Sequence, residues 1–420
     1  MATITGMPYY EIEFNADGSL NTTGGGDGGL PAAVAHGGIS DLFVLSHGWN
    51  NGVTSARDLY QAMFTLLADQ LGQHRSTSAA VGILWPSLLF PDDDPASPAP
   101  QAPCTGAQIT AALAPAFPDQ QTQLTTIGRL LDDKPQDPAK LTEFHSLVSG
   151  LVTTDPQGAE VAGESALLTA NTAAALGAAA TLAPRQGGDA QGLGNPFAGL
   201  WSAGRELLRT MSYYEMKNRA GVIGKNGLGP LLAALTAPAR IHLMGHSFGA
   251  RLAAYTLAGL PPSFTGKTSP VKSLTLIQGA FSHFTFTSSL PFDSGRSGAL
   301  AGCQNRVDGP LLASFTDADR AVGWWYPAAS MLAREDSEAA ADLAYRWGAM
   351  GHDGYQQQPA ATVTPLANVG QPYNFTAGAF YALDSNTVIK SIQSTFSGAH
   401  SDIRHPEVLW AVGSAANLTH

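Results

Sequence analysis

Between Arg240 and Leu260 an apolar strand pattern, Ile241–Met244, runs into Gly245-His246-Ser247-Phe248-Gly249 and straight on into a helical pattern over Ala250–Leu260. A strand passes into a helix without a loop only where the crowded turn is lined by small residues. Gly245 and Gly249 on either side of Ser247 meet that need. The pattern Gly-x-Ser-x-Gly is weak alone: with 46 glycines in 420 residues, chance supplies about a third of a match, so the strand before it and the helix after it decide. Such a stretch demands a sheet with a helix packed back across it.

The rest of the chain supplies that sheet. Asp41–Ser46 and Ala80–Trp85 are short apolar runs separated by Ser55–Leu71, where Leu59, Met63, Leu66, Leu67 and Leu71 recur at helical spacing with Ser55 as N-cap. Continuous apolar runs fit strands covered on both faces, and strand–helix–strand is a βαβ unit. Val271–Gln278 and Leu311–Phe315 read as further strands, Phe375–Leu383 as the last, and Pro406–Ala416 as a terminal helix with Pro at its first position. Tyr9–Phe14, before the turn Asn15-Ala16-Asp17-Gly18, reads as an opening strand. The alternation predicts an α/β fold with a mainly parallel central sheet flanked by helices.

One segment breaks the alternation. Pro86–Pro103 is proline-rich loop with Asp92–Asp94 in a row, and helical patterns follow near Gln121–Asp132, Lys140–Leu151 and Glu160–Ala183 before amphipathic helix resumes over Trp201–Gly221. Residues 91–195 therefore read as a helical insertion, with 1–90 and 196–420 as the core. Much of the formal charge of −11 lies in that insertion, where twelve Asp and Glu face four Lys and Arg. A negative chain without a basic block excludes nucleic acid as partner, since Lys and Arg must neutralise phosphates. No run of 18 residues is apolar throughout, so no transmembrane segment is read. Met1–Phe14 has no basic, apolar leader, which points to the cytoplasm. Cys104 and Cys303 cannot form a metal site alone, and the choice between a disulfide and two thiols stays open.

Ser247 is the candidate nucleophile, projected from the turn at the start of a helix. His47-Gly48-Trp49-Asn50 follows the strand Asp41–Ser46, where a backbone N–H can help hold a developing oxyanion; the donors would be the N–H groups of Trp49 and Phe248. Gly48 permits close approach, and His47 reads as a histidine buttressing its own loop. In the order Ser, acid, His, the acid follows Leu311–Phe315 at the carboxyl end of a strand. Asp319 is preferred because Val322, three residues on, can tuck under its loop; Asp317 is the reserve, with Asp308 behind it. Among the later histidines, His352, His400, His405 and His420, only His400 sits in a small-residue loop between the last strand and helix. His405 is the reserve base, and Asp402 reads as capping the following turn.

These residues, in these places, resemble the α/β-hydrolase family of serine esterases and lipases over roughly residues 40–86 and 200–420. Phe43–Asn51, His246–Leu252, Ala321–Ser330 and Gly398–Val408 are similar to a sparsely characterised bacterial branch of it. The resemblance implies an α/β-hydrolase fold, a Ser247–His400–Asp319 triad and hydrolysis of carboxylic esters through an acyl-enzyme, with no metal and no cofactor. The substrate would be a small-molecule or polymeric ester with an apolar acyl or aromatic part. Residues 91–195 would be a cap or lid over the site. Amide or thioester hydrolysis and acyl transfer use the same triad, and a catalytically silent binding protein on the same scaffold is the alternative outside enzymes. The separation of 81 positions from Asp319 to His400 exceeds a compact member's need, so Trp324-Trp325-Tyr326 and Arg346–Tyr355 are expected in a second excursion beside the site.

Overall fold

The structure, a computed structural model, describes residues 2–49, 52–87, 90, 104–153, 167–181, 196–236, 239–325, 345–346, 348–393 and 397–419. The proline-rich loop at 91–103, much of the expected helix Glu160–Ala183, Tyr326 and His420 lie wholly or partly outside these residues.

Among the described residues nine strands form one sheet: β1 (Ala2–Ile4), β2 (Met7–Glu13), β3 (Asp41–Ser46), β4 (Ser78–Leu84), β5 (Arg240–His246), β6 (Val271–Ile277), β7 (Leu311–Phe315), β8 (Thr362–Pro365) and β9 (Phe380–Asp384). Their order across the sheet is β1-β2-β4-β3-β5-β6-β7-β9-β8. All neighbours are parallel except β1 and β2.

The two faces of β3 show how the apolar runs build the core. Leu42 and Val44 face one layer and Phe43 and Leu45 the other, as the two-residue period of a strand requires. On the second face lie helices Val53–Leu71, through Leu59, Met63 and Leu67, and Pro406–Ala415, through Val408, Leu409 and Val412. On the first lie the helix Phe248–Gly259, the long helix Pro196–Val222 and the helices Gly106–Leu113, Gln121–Asp133, Pro138–Ser149 and Thr172–Ala180. Helices on both faces of a mostly parallel sheet make this an α/β fold.

Helix Pro196–Val222 ties the segment before it to the sheet with buried charge. Glu215 pairs with Arg219 at 3.2 Å and accepts the Thr153 N–H at 2.9 Å, while Arg219 donates to the carbonyls of Pro86 (2.9 Å) and Ala116 (2.8 Å). The loop after β4 and the helical segment are thus held by one guanidinium, whose loss would remove the buried cation beside Glu215.

Several local expectations are corrected. The helix expected from Ser55 starts at Val53 with Gly52 as N-cap and no side-chain cap, so Ser55 lies inside its first turn. The last strand is Phe380–Asp384, beginning five residues later than Phe375, and it pairs on its outer side with β8, which the sequence did not announce. β8 ends in Pro365 and is largely exposed, as suits an edge strand. Both cysteines are free.

Candidate active site

In open α/β sheets, sites gather at the carboxyl ends of strands where the strand order reverses. Here the chain runs from β3 outward to β4, then returns to β5 on the other side of β3 and proceeds to β6, β7 and β9. The loops after β3 and β5 therefore meet at a crevice between diverging halves, and Gly48 and Ser247 stand in those two loops.

Ser247 has φ 59°, a left-handed conformation that a side chain adopts only under constraint. Its N–H donates to the Ile277 carbonyl at 3.1 Å, and its own carbonyl accepts from Ala250 (3.1 Å) and Ala280 (3.2 Å). The flanking glycines are obligatory. A Cβ on Gly245 would lie 2.1 Å from the Gly249 carbonyl oxygen, and one on Gly249 would lie 2.1 Å from the Ser46 carbonyl oxygen. Only bare backbone lets the helix and β3 come this close.

Three side chains meet at the turn. His400 Nε2 is 2.8 Å from Ser247 Oγ, and His400 Nδ1 is 2.7 Å from Asp319 Oδ2. Asp319 is fully buried, Ser247 and His400 nearly so. The other Asp319 oxygen accepts the Val322 N–H at 3.2 Å, and the Val322 side chain is buried. Asp317 is exposed, its backbone N–H bound to Asn386 Oδ1 at 2.9 Å, and Asp308 pairs with Lys272 at 2.7 Å. His405 caps the last helix and binds Asp402 at 3.0 Å. Asp402 does not cap the following turn as expected: its other oxygen accepts the N–H groups of Lys390 (2.9 Å) and Ser391 (2.8 Å), joining two loops.

The loop after β3 lies against the serine. A Cβ on Gly48 would stand 2.4 Å from Ser247 Cβ. His47 is buried, stacks on Trp85 at 5.3 Å and donates through Nδ1 to the Gly48 carbonyl at 2.9 Å. Burial pushes it down to about 4, so it stays neutral and serves the loop. Trp85 Nε1 donates to the His47 carbonyl at 3.1 Å, and Tyr60 Oη accepts the His47 N–H at 3.0 Å. Phe248 opens its helix, where an N–H has no intrahelical acceptor. The Trp49 ring lies 6.3 Å from that of Phe248, and Tyr213 of helix Pro196–Val222 stands 5.4 Å from Trp49 and 4.7 Å from Phe248. The three rings form one aromatic cluster, Tyr213 and Phe248 buried in the core and Trp49 half-buried against it.

Two polar residues were not foreseen. His246 Nε2 donates to the His400 carbonyl at 2.9 Å, its ring 4.9 Å from that of His400, and burial pushes it down to about 3. Gln278 Nε2 donates to Asp319 Oδ2 at 3.1 Å. Neither carries a sequence signal of its own: His246 fills a free position of the motif, and Gln278 is 41 residues from Asp319.

A second set of the same residue types meets near the opposite, amino-terminal ends of the central strands β3, β5 and β6. His242 Nδ1 is 2.9 Å from Ser273 Oγ, and His242 Nε2 is 3.0 Å from Asp41 Oδ1. Ser273 and His242 are buried among three central strands, so this triple is a cross-strand tie without access for substrate. No family model, curated protein or solved structure matches the chain. No helix among the described residues is long and apolar enough to cross a membrane.

Proposed function

We propose that the protein is a serine hydrolase of the α/β-hydrolase type that cleaves carboxylic esters. One observation carries the reading: the His400 ring spans Ser247 Oγ and Asp319 Oδ2 at 2.8 and 2.7 Å, one nitrogen to each. An ionised Asp319 accepts Nδ1–H, which leaves the Nε2 lone pair facing the serine hydroxyl. His400 takes the hydroxyl proton as Oγ bonds to the ester carbonyl carbon. The tetrahedral oxyanion is held by the N–H groups of Trp49 and Phe248, each such donor being worth about 2.7–4 kcal/mol in comparable sites. Imidazolium then protonates the departing alkoxide, and an acyl-serine remains. Water, deprotonated by the same nitrogen, attacks the acyl carbon; Ser247 recovers its proton and the acid leaves.

The half-buried Trp49, in the loop that follows β3 and packed on Tyr213 and Phe248, supports an ester with an apolar acyl or aromatic part. In this reading the helices between 104 and 181 cover the crevice as a cap. The acidic surplus of residues 91–195 then selects against anionic substrates. Incubation with a fluorophosphonate probe and a short-chain p-nitrophenyl ester, beside Ser247→Ala, tests the proposal. Labelling and turnover are expected from the unmutated chain and from neither reaction of the variant; an unmutated chain inert in both assays would falsify it.

A further inference from the structure

Gln278 follows β6 with φ 47°, in the left-handed region where glycine or asparagine would be at ease and a longer side chain is not. It is fully buried. Its amide is held from both sides: Ser314 Oγ donates to Gln278 Oε1 at 3.1 Å, and Gln278 Nε2 donates to Asp319 Oδ2 at 3.1 Å. Its backbone N–H donates to the same Ser314 Oγ at 3.1 Å. The turn is thus kept at a residue for which its backbone is poorly suited, and the side chain so placed ends on the carboxylate oxygen that also receives the His400 proton donor. Asparagine would relieve the backbone but is one methylene too short to span from Ser314 to Asp319.

We propose that Gln278 is a positioning residue for the triad, with Ser314 as its anchor: it fixes the Asp319 carboxylate and shares its charge, and so sets how strongly that carboxylate draws His400 toward the protonated state. The assignment rests on the proposed hydrolase chemistry. Three donors converge on Asp319, namely His400 Nδ1, Gln278 Nε2 and the Val322 N–H. Each takes part of the negative charge, and a carboxylate that loses one donor holds more charge for the others. Without Gln278 the imidazolium form is favoured at higher pH while the carboxylate is less well aimed.

Gln278→Asn and Gln278→Met test this, with Ser314→Ala as the variant that leaves Gln278 in place. Met keeps the volume and removes the donor; Asn suits the backbone and falls short of Asp319. The acidic limb of kcat/KM for p-nitrophenyl ester hydrolysis is expected to move to higher pH in all three. For both Gln278 variants, kcat should fall about tenfold or more with KM little changed, rates being counted per fluorophosphonate-titrated site. Gln278→Asn should melt no lower than the parent, so activity and stability part company. A second readout, the far-downfield NMR resonance of the His400 Nδ1–H, should shift in each variant whether or not ester is turned over. A moved resonance in a chain without turnover rejects the hydrolase reading and keeps the positioning role. Normal turnover with an unmoved limb and resonance, or a loss confined to melting temperature, overturns the role of Gln278.

Discussion

The backbone of Gly48 lies directly against the Ser247 side chain: a Cβ on Gly48 would stand 2.4 Å from Ser247 Cβ, 3.1 Å from its Oγ and 2.9 Å from the His246 carbonyl oxygen. The approach is closer than any real side chain permits, so the loop after β3 can offer an N–H beside the nucleophile only while residue 48 is glycine.

Gly48→Ala should therefore push the loop off the serine. The expected loss is about a hundredfold or more in kcat/KM for ester hydrolysis, the scale of one oxyanion donor. The far-ultraviolet circular dichroism should be unchanged. Turnover within a few-fold of the parent would mean that this loop does not supply a donor.

The two aspartates after β7 should behave oppositely. Asp319→Asn removes the fixed acceptor of His400 Nδ1–H and should lower kcat by about ten-thousand-fold, the cost in comparable triads of orienting the wrong tautomer. Asp317→Asn, at an exposed position, should leave kcat within twofold. Steady-state kinetics on the pair distinguishes them, and equal activity of Asp319→Asn and the parent would reassign the acid.

His246 and His47 are both held neutral by burial, at about 3 and about 4 against an ordinary 6.5. The unfolded chain takes up protons at these sites below 6.5 and the folded chain does not, so stability is complete above that pH and declines as pH falls toward 4. Each unit of depression is worth about 1.4 kcal/mol, so several kcal/mol should be lost between pH 6.5 and 4. Urea unfolding at stepped pH measures the slope. His47→Asn should make it shallower; an unchanged slope would place the acid sensitivity elsewhere.

At the amino-terminal ends of β3 and β5, Asp41 accepts from His242 at 3.0 Å and pairs with Arg240 at 3.3 Å. Asp41→Ala leaves a buried imidazole without its acceptor and should cost about 3 kcal/mol in unfolding free energy. Turnover per titrated serine should stay unchanged, because the triple lies at the other ends of the strands from Ser247. A selective loss of kcat would show that the two ends of these strands are coupled.

The parts of this fold that the sequence displays are those where one physical demand acts alone. Strands β3 to β7 are covered on both faces and stand out as apolar runs. β1 and β8 do not, because a three- or four-residue edge strand needs no such run, and Thr362–Pro365 has exposed residues and a terminal proline. Ser247 is legible because the backbone crowding writes two glycines beside it. His400 and Asp319 follow from chain order and loop composition, and their side chains meet as that order requires. Gln278 was read only as the end of a strand. Its role depends on a positive φ at a residue other than glycine and on a partner brought in by a neighbouring strand, and neither leaves a local trace. The helix start at Val53 was misjudged because Ser55 has the chemistry of a cap, while the chain turns at Gly52 and needs none.

Ser247, Asp319 and His400, the proposed nucleophile, acid and base, follow β5, β7 and β9, and His400 stands 153 residues beyond Ser247. In the proposed chemistry Ser247 has its base only while the strand Phe380–Asp384 is paired with β7 and carries the chain on to His400. The fold is then its own safety catch: a chain with that seam open would have no acylating power.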